Sequence, residues 1–170
     1  ESLKNFTGIP GRMQKYIYKN NIQVFVDYAH NPSSMKAVLE ELRKMSKNLI
    51  VVFGCGGHKD KLKRPIMGKI ASEYYNKIFI TNENPREEDP NDIIKNIYSG
   101  ILINKRKDTV CCSNRLTAIK KAFLCSTSGS IIAILGKGHE SFFYSKNEKK
   151  FFSDIKVVEN FCNSFVTNNF

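Results

Sequence analysis

The chain has 170 residues, 27 Lys and Arg against 16 Asp and Glu, a net charge of +11 and 41% apolar residues. That is one domain's length, able to bury about 70% of the surface its unfolded form exposes, and a charged fraction of 25% sets aside wholesale disorder and collagen-like repeats. The longest apolar run, residues 130–135, falls far short of the roughly 18 residues of a spanning helix, so no membrane partner is expected.

Residues 1–20 read as a lead-in, and the chain opens at Glu1 without a basic and then apolar leader, as expected of a soluble piece cut from a longer chain. Residues 22–28 are β-branched and aromatic and predict a strand ending at Ala29-His30. Asn31-Pro32-Ser33 then supplies a helix start, with Pro preset for the first turn and Asn or Ser able to cap free N–H groups. Met35, Val38, Leu39 and Leu42 follow at helical spacing, to about Met45. Leu49–Phe53 is a continuous apolar run, the mark of a strand covered on both faces, and it breaks into Gly54-Cys55-Gly56-Gly57. A helix over 66–75 and a strand over 77–81 come next. Pro90-Asn91-Asp92 opens a helix carrying Ile93, Ile94 and Ile97, which closes at Gly100. Residues 109–112 form a short strand, 114–125 a helix, and 130–135 a buried strand running into Gly136-Lys137-Gly138-His139-Glu140. A hairpin pairs 142–144 with 150–152 around Lys146-Asn147-Glu148, and Ser153 and Asp154 cap a last helix to about 165.

Strands alternating with helices imply right-handed crossovers and a Rossmann-like α/β domain, its mostly parallel sheet covered by helices on both faces. Ligands of such sheets sit beyond the carboxyl ends of the strands. Residues 27–32, 54–65, 82–86 and 136–140, rich in Gly, His, Asp, Asn and Arg, fall at those ends.

The basic excess consists of 21 Lys and six Arg scattered along the chain, and Asn is abundant, which suggests compositional bias. No helix-turn-helix, RNA-recognition or zinc pattern accompanies the charge, so nucleic acid is not expected as a partner, while attraction of small anions stays open. Cys55, Cys111, Cys112, Cys125 and Cys162 contain no C-x-x-C, and adjacent Cys111 and Cys112 on a strand point to opposite faces. They read as free thiols in a reducing cytoplasm, with no metal ligands among them.

Residues 54–65 let backbone N–H groups approach an anion and ring it with cations, Arg64 among them, although a solvated surface loop explains them equally well. The loop is neither a Walker A sequence nor the dinucleotide fingerprint. Asn82-Glu83-Asn84-Pro85-Arg86 places a carboxylate, an amide and a guanidinium within five residues. It could hold a zwitterion, acid to ammonium and Arg to carboxylate, or simply be a capped turn leading into Pro90. Glu140 near His139, and Asp27 near His30, offer acid and base groups, but three His and scattered acids give neither metal spacing nor a nucleophile.

In order along the chain stand G-R-M-Q (residues 11–14), D-Y-A-H-N-P (27–32), V-F-G-C-G-G-x-x-D-K-x-K-R-P-x-M (52–67), N-P-R (84–86) and G-K-G-H-E (136–140). This series resembles the Mur ligases, and covers only their C-terminal domain. The resemblance implies a single domain over residues 1–170, its first 20 residues leading in from a central ATPase domain, with the N-terminal domain also outside the chain. It implies an ATP-dependent, ADP-forming ligation in peptidoglycan synthesis: an acyl phosphate forms on the D-glutamate of UDP-N-acetylmuramoyl-L-alanyl-D-glutamate, and the amine of the incoming amino acid attacks it. Carried over by motif, Arg64, Glu83, Asn84, Pro85, Arg86, Gly136 and Glu140 would hold meso-diaminopimelate. Asp27, His30 and Asn31 would face ATP, while the central domain would supply most of the ATP and Mg2+ contacts, leaving no metal ligand and no assigned catalytic residue here. A cytoplasmic monomer is expected.

Relatives that add meso-diaminopimelate carry D-N-P-R, whose Arg grips the distal carboxylate, and lysine-adding relatives lack that Arg. Glu83 stands at the usual Asp position, and His58 at a position often acidic or polar. The alternatives are a folylpolyglutamate- or cyanophycin-type ligase, which shares the D-Y-A-H-like strand end but should lack N-P-R and G-K-G-H-E, and a non-enzymatic anion-binding module.

Overall fold

Apolar strands without alternation need cover on both faces. The computed structural model, which describes residues 8–146 and 148–164, supplies it with helices. Strands β2 (Ile22–Asp27), β3 (Leu49–Phe53), β4 (Lys77–Thr81), β5 (Thr109–Cys112) and β6 (Ile131–Leu135) run parallel, and β1 (Gln14–Tyr18) pairs antiparallel with β2. The order across the sheet is β1-β2-β6-β3-β4-β5.

Alternate strand residues feed two apolar layers. Val51, Phe53, Ile78, Ile80, Ala133 and Leu135 join Met35, Leu39 and Leu42 of α1 (Pro32–Met45), Met67 and Ile70 of α2 (Lys63–Tyr74), and Ile93 and Ile97 of α3 (Pro90–Ser99). Val52, Phe79, Ile132 and Ile134 face the opposite way, onto Ile119 and Phe123 of α4 (Arg115–Cys125) and Val158 of α5 (Asp154–Asn163). Each Val, Leu, Ile, Phe or Met side chain among them, fully buried, contributes about 1.5–3 kcal/mol.

Local chemistry starts the helices. Asn31 accepts from Ser34 N at 2.9 Å and its own N–H reaches the Ser34 hydroxyl, a capping box with Pro32 at the first helical position. Asp89 caps α3 through Asn91 N, and Asn114 caps α4 through Thr117 N. Helix α2 begins at Lys63, ahead of the predicted 66, because Pro65 falls in the first turn, where its missing N–H has no intrahelical partner to lose.

Within the stretch expected as a lead-in, residues 1–20, Gln14–Tyr18 is an edge strand of the sheet, returning to β2 through Asn20 and Asn21, both at positive φ. Residues 1–7 of that stretch lie outside the described residues. A 3-10 helix, Ile103–Asp108, precedes β5, where no element was expected. Strands β7 (Phe142–Ser145) and β8 (Glu148–Phe151) form the hairpin, and α5 closes at Asn163. The predicted turn residue Asn147 and the predicted helix end at 165 lie outside the described residues.

The topology fixes where a ligand can sit. Helices α1, α2 and α3 carry the chain one way across the sheet, and α4 returns it on the other face so that β6 inserts between β2 and β3. The loops after β2, β3, β4 and β6 therefore converge at one edge.

Candidate functional site

The loop after β4 enters buried: Asn82, Glu83 and Asn84 are at most 9% exposed. The Asn84 carbonyl accepts from Gly57 N at 2.8 Å, which ties this loop to the one after β3. Gly57 cannot be replaced, since a β-carbon there would stand 1.8 Å from the Pro85 carbonyl oxygen. The Asn84 side chain accepts from Tyr144 N at 3.1 Å and donates to Glu140 Oε2 at 2.8 Å. Arg86, at φ +53°, donates its N–H to the Tyr144 carbonyl and its Nη1 to the Gly57 carbonyl at 2.7 Å. The β7–β8 hairpin is thus laced through its backbone to the N-P-R triplet.

A cavity of about 100 Å³ opens between these loops. Arg86, Lys59 and Lys63 bring positive charge to its lining, Glu83, Glu140 and Asn84 bring acceptors, and Tyr28 and His30 complete a wall. The Tyr28 hydroxyl donates to Glu140 Oε1 at 3.4 Å. Burial pushes the Glu83 carboxyl up to about 7 against the pull of Arg115 and Lys63, and its Oε2 is buried with no hydrogen-bond partner. Such an arrangement offers cations to a carboxylate and acids to an ammonium. A larger cavity of about 510 Å³, walled by Phe143, Phe151 and Phe152, lies between the hairpin and α4 and contains none of the predicted site residues.

Of the predicted ligand residues, Glu83, Asn84, Arg86 and Glu140 line the small cavity together. Gly136 backs it, against the Glu83 carboxyl, and Pro85 braces Gly57. Arg64 does not join them. Its guanidinium, 1% exposed, forks onto Glu88 with both contacts at 3.0 Å and reaches Asn96 Oδ1 at 3.0 Å, so its charge is spent inside the domain. The Arg64 hydrogen bonds pull the Glu88 carboxyl down to about 2. His58, exposed and at φ +53°, donates its N–H to the same carboxylate at 2.7 Å.

Of the three residues expected toward ATP, only His30 reaches the cavity. Asp27 accepts from Met13 N and Ala29 N, each at 2.7 Å, and Asn31 caps α1, so both are occupied by local structure. Among the described residues no group of three or more His, Cys, Asp or Glu could hold a metal ion, and no helix is long and apolar enough to cross a membrane. Tyr28, Lys59 and Lys63 line the cavity without having been singled out. The two lysines lay within the cation-ringed loop 54–65, but nothing in that loop says which cation turns inward. Lys137 is the cation of the G-K-G-H-E loop, with no ligand role expected of it, and the Arg115–Asp154 pair has no motif to mark it. Arg115, buried, bonds Asp154 at 2.6 and 2.8 Å and reaches the carbonyls of Asn82 and Leu135, the last residues before Glu83 and Gly136.

The sequence pattern of the family described as "Mur ligase, glutamate ligase domain" matches residues 11–138. The chain belongs to the Mur ligase family. This Mur ligase domain is 43% identical over 152 residues to the UDP-N-acetylmuramoyl-L-alanyl-D-glutamate–2,6-diaminopimelate ligase of Aquifex aeolicus (strain VF5), a match covering 89% of the chain and 31% of that protein. A protein of the same name from Prochlorococcus marinus subsp. pastoris is 39% identical, over 92% of the chain and 32% of the relative. A solved structure of a ligase of that name superposes with a TM-score of 0.85 at 34% identity, covering 95% of the chain and 33% of that structure. The domain therefore spans about a third of the length of these relatives. The bifunctional folylpolyglutamate synthase/dihydrofolate synthase of Yersinia pestis, solved in complex with AMPPNP and a Mn ion, reaches a TM-score of 0.59 at 18% identity and shares the fold alone.

Proposed function

We propose that this Mur ligase domain binds the incoming amino acid for a ligase that adds meso-diaminopimelate to UDP-N-acetylmuramoyl-L-alanyl-D-glutamate. The observation that carries the reading is the Arg86 guanidinium at the small cavity, facing a lining that also holds Glu83, Asn84 and Glu140. Arg86, helped by Lys59 or Lys63, takes a carboxylate, and the acids take an ammonium. A diamino diacid has both groups at each end, whereas lysine lacks the second carboxylate and would leave the guanidinium without its anion.

Asn84 and Glu140 orient the ligand so that its free amine points out of the cavity toward the acyl phosphate formed elsewhere. ATP and Mg2+ supply the activation of the acceptor carboxylate. Within this domain His30 is the residue available to the nucleotide side, since Asp27 and Asn31 are held by their own backbone. No phosphate-cradling Walker A loop stands in these residues, so ATP hydrolysis belongs to the part of the longer enzyme outside this chain. The domain acts within a soluble, cytoplasmic enzyme.

Arg86→Ala in the full-length ligase tests the reading. Losing a charge-assisted contact of about 1.5–3 kcal/mol should raise the KM for meso-diaminopimelate roughly 10- to 100-fold and narrow the preference over L-lysine. Unchanged discrimination between the two amino acids would overturn it.

A further inference from the structure

Lys137 sits beside the ligand cavity but not in its lining, and its side chain has no solvent exposure. An ammonium has three N–H donors. Its Nζ has three acceptors: the Phe142 carbonyl at 2.7 Å, Glu140 Oε2 at 3.2 Å and Asn84 Oδ1 at 3.3 Å. All three donors are used inside the protein, and none is left for a ligand.

Two of those acceptors belong to residues that line the cavity, Asn84 and Glu140. Asn84 Oδ1 is turned toward Lys137 and Tyr144 N, which leaves Nδ2 to donate to Glu140 Oε2. Glu140 Oε2 thereby receives two donors from behind, while Oε1 lies toward Tyr28. A buried cation is also costly: burial pulls the ammonium's pKa down, and an apolar side chain would fill the same slot without that cost.

We propose that Lys137 is a positioning residue for the amino-acid ligand, holding Asn84 and Glu140 in the orientation that receives the ligand's ammonium without touching the ligand itself. The proposal rests on the amino-acid reading of this cavity. Lys137 acts on binding and leaves the activation of the acceptor carboxylate alone.

The test is steady-state kinetics of Lys137→Met, Glu140→Gln and the double variant in the full-length ligase. Lys137→Met should raise the KM for the amino acid about 10- to 100-fold, with kcat and the KM for ATP within about threefold. Because the two residues act as one unit, the double variant should be no worse than the weaker-binding single variant. An unchanged amino-acid KM, or strictly additive losses, would overturn the proposal. Should Lys137→Met not fold, Lys137→Arg takes its place in the same cycle, since a planar fork cannot meet three acceptors arranged around one nitrogen, and the same outcomes decide. Arg86→Ala run alongside separates the two failures. Altered amino-acid selection with an intact KM in Lys137→Met sinks the positioning role alone. Unaltered selection with a raised KM in Lys137→Met sinks the diaminopimelate reading and leaves the coupling standing.

Discussion

Glu83 Oε2 occupies the space that a β-carbon on Gly136 would need: such an atom would lie 2.5 Å from it. Gly136 also sits at φ +111°, where an L side chain is strained. Gly136→Ala should therefore destabilise the domain by about 1–3 kcal/mol and displace the Glu83 carboxyl. Urea denaturation would show a lower midpoint, and a midpoint equal to that of the parent would contradict this close approach.

Glu83 should make the domain less stable as pH rises through the neutral range. Its carboxyl titrates near 7 when folded and near 4.5 when unfolded. Between those values the unfolded chain gives up its proton first, so stability falls from about pH 4.5 to about 7 and stays lower above that. The amplitude is on the order of 3 kcal/mol. Glu83→Gln removes the ionisation, so thermal melts should show the variant gaining on the parent between pH 4.5 and 8. Parallel melting curves across that range would refute the assignment.

Glu88 has the opposite sign. Hydrogen bonds from Arg64 hold its carboxyl near 2, so the stabilisation is present above about pH 4.5 and is lost as pH falls toward 2. Glu88→Gln should unfold more easily at pH 7, by about 1–3 kcal/mol, because the amide loses the charge and turns one of the two acceptors facing Arg64 into a donor. The gap between variant and parent should shrink as the pH is lowered to 2, as followed by circular dichroism. A gap independent of pH would exclude the pairing as its cause.

Arg115→Met leaves Asp154 buried without its cation, at a cost of about 3–5 kcal/mol. Adding Asp154→Leu should recover much of the loss, since a buried pair replaced by apolar groups is often neutral. Equal stability of the single and double variants, measured by denaturant titration, would show that the Asp154 charge is not the source of the loss.

The parallel core was legible because each central strand is an apolar run bounded by Gly, Asn or Pro. Two helices were legible from Asn31-Pro32-Ser33 and Pro90-Asn91-Asp92, each followed by apolar residues at helical spacing, while the caps Asp89 and Asn114 show only in the structure. Strand β1 was not, although Asn20-Asn21 before Ile22 is a turn signal; Gln14 and Lys15 gave it a polar start. The site divided in the same way. Motif order brought forward Glu83, Asn84, Arg86 and Glu140, which meet at one cavity. Arg64, in the first turn of α2, and Lys59, in the loop before it, lie five residues apart, and only packing decides that the first turns onto Glu88, 24 residues on, while the second turns to the cavity.

Arg86 is restrained within the domain itself. Its N–H is held by the Tyr144 carbonyl and its head group by the Gly57 carbonyl. Freezing a free arginine costs about 2 kcal/mol of rotamer entropy, and here much of that loss is met when the domain folds. On the amino-acid reading proposed above, an incoming carboxylate would encounter a stiff receptor. Competing amino acids would then part company chiefly in how fast they leave.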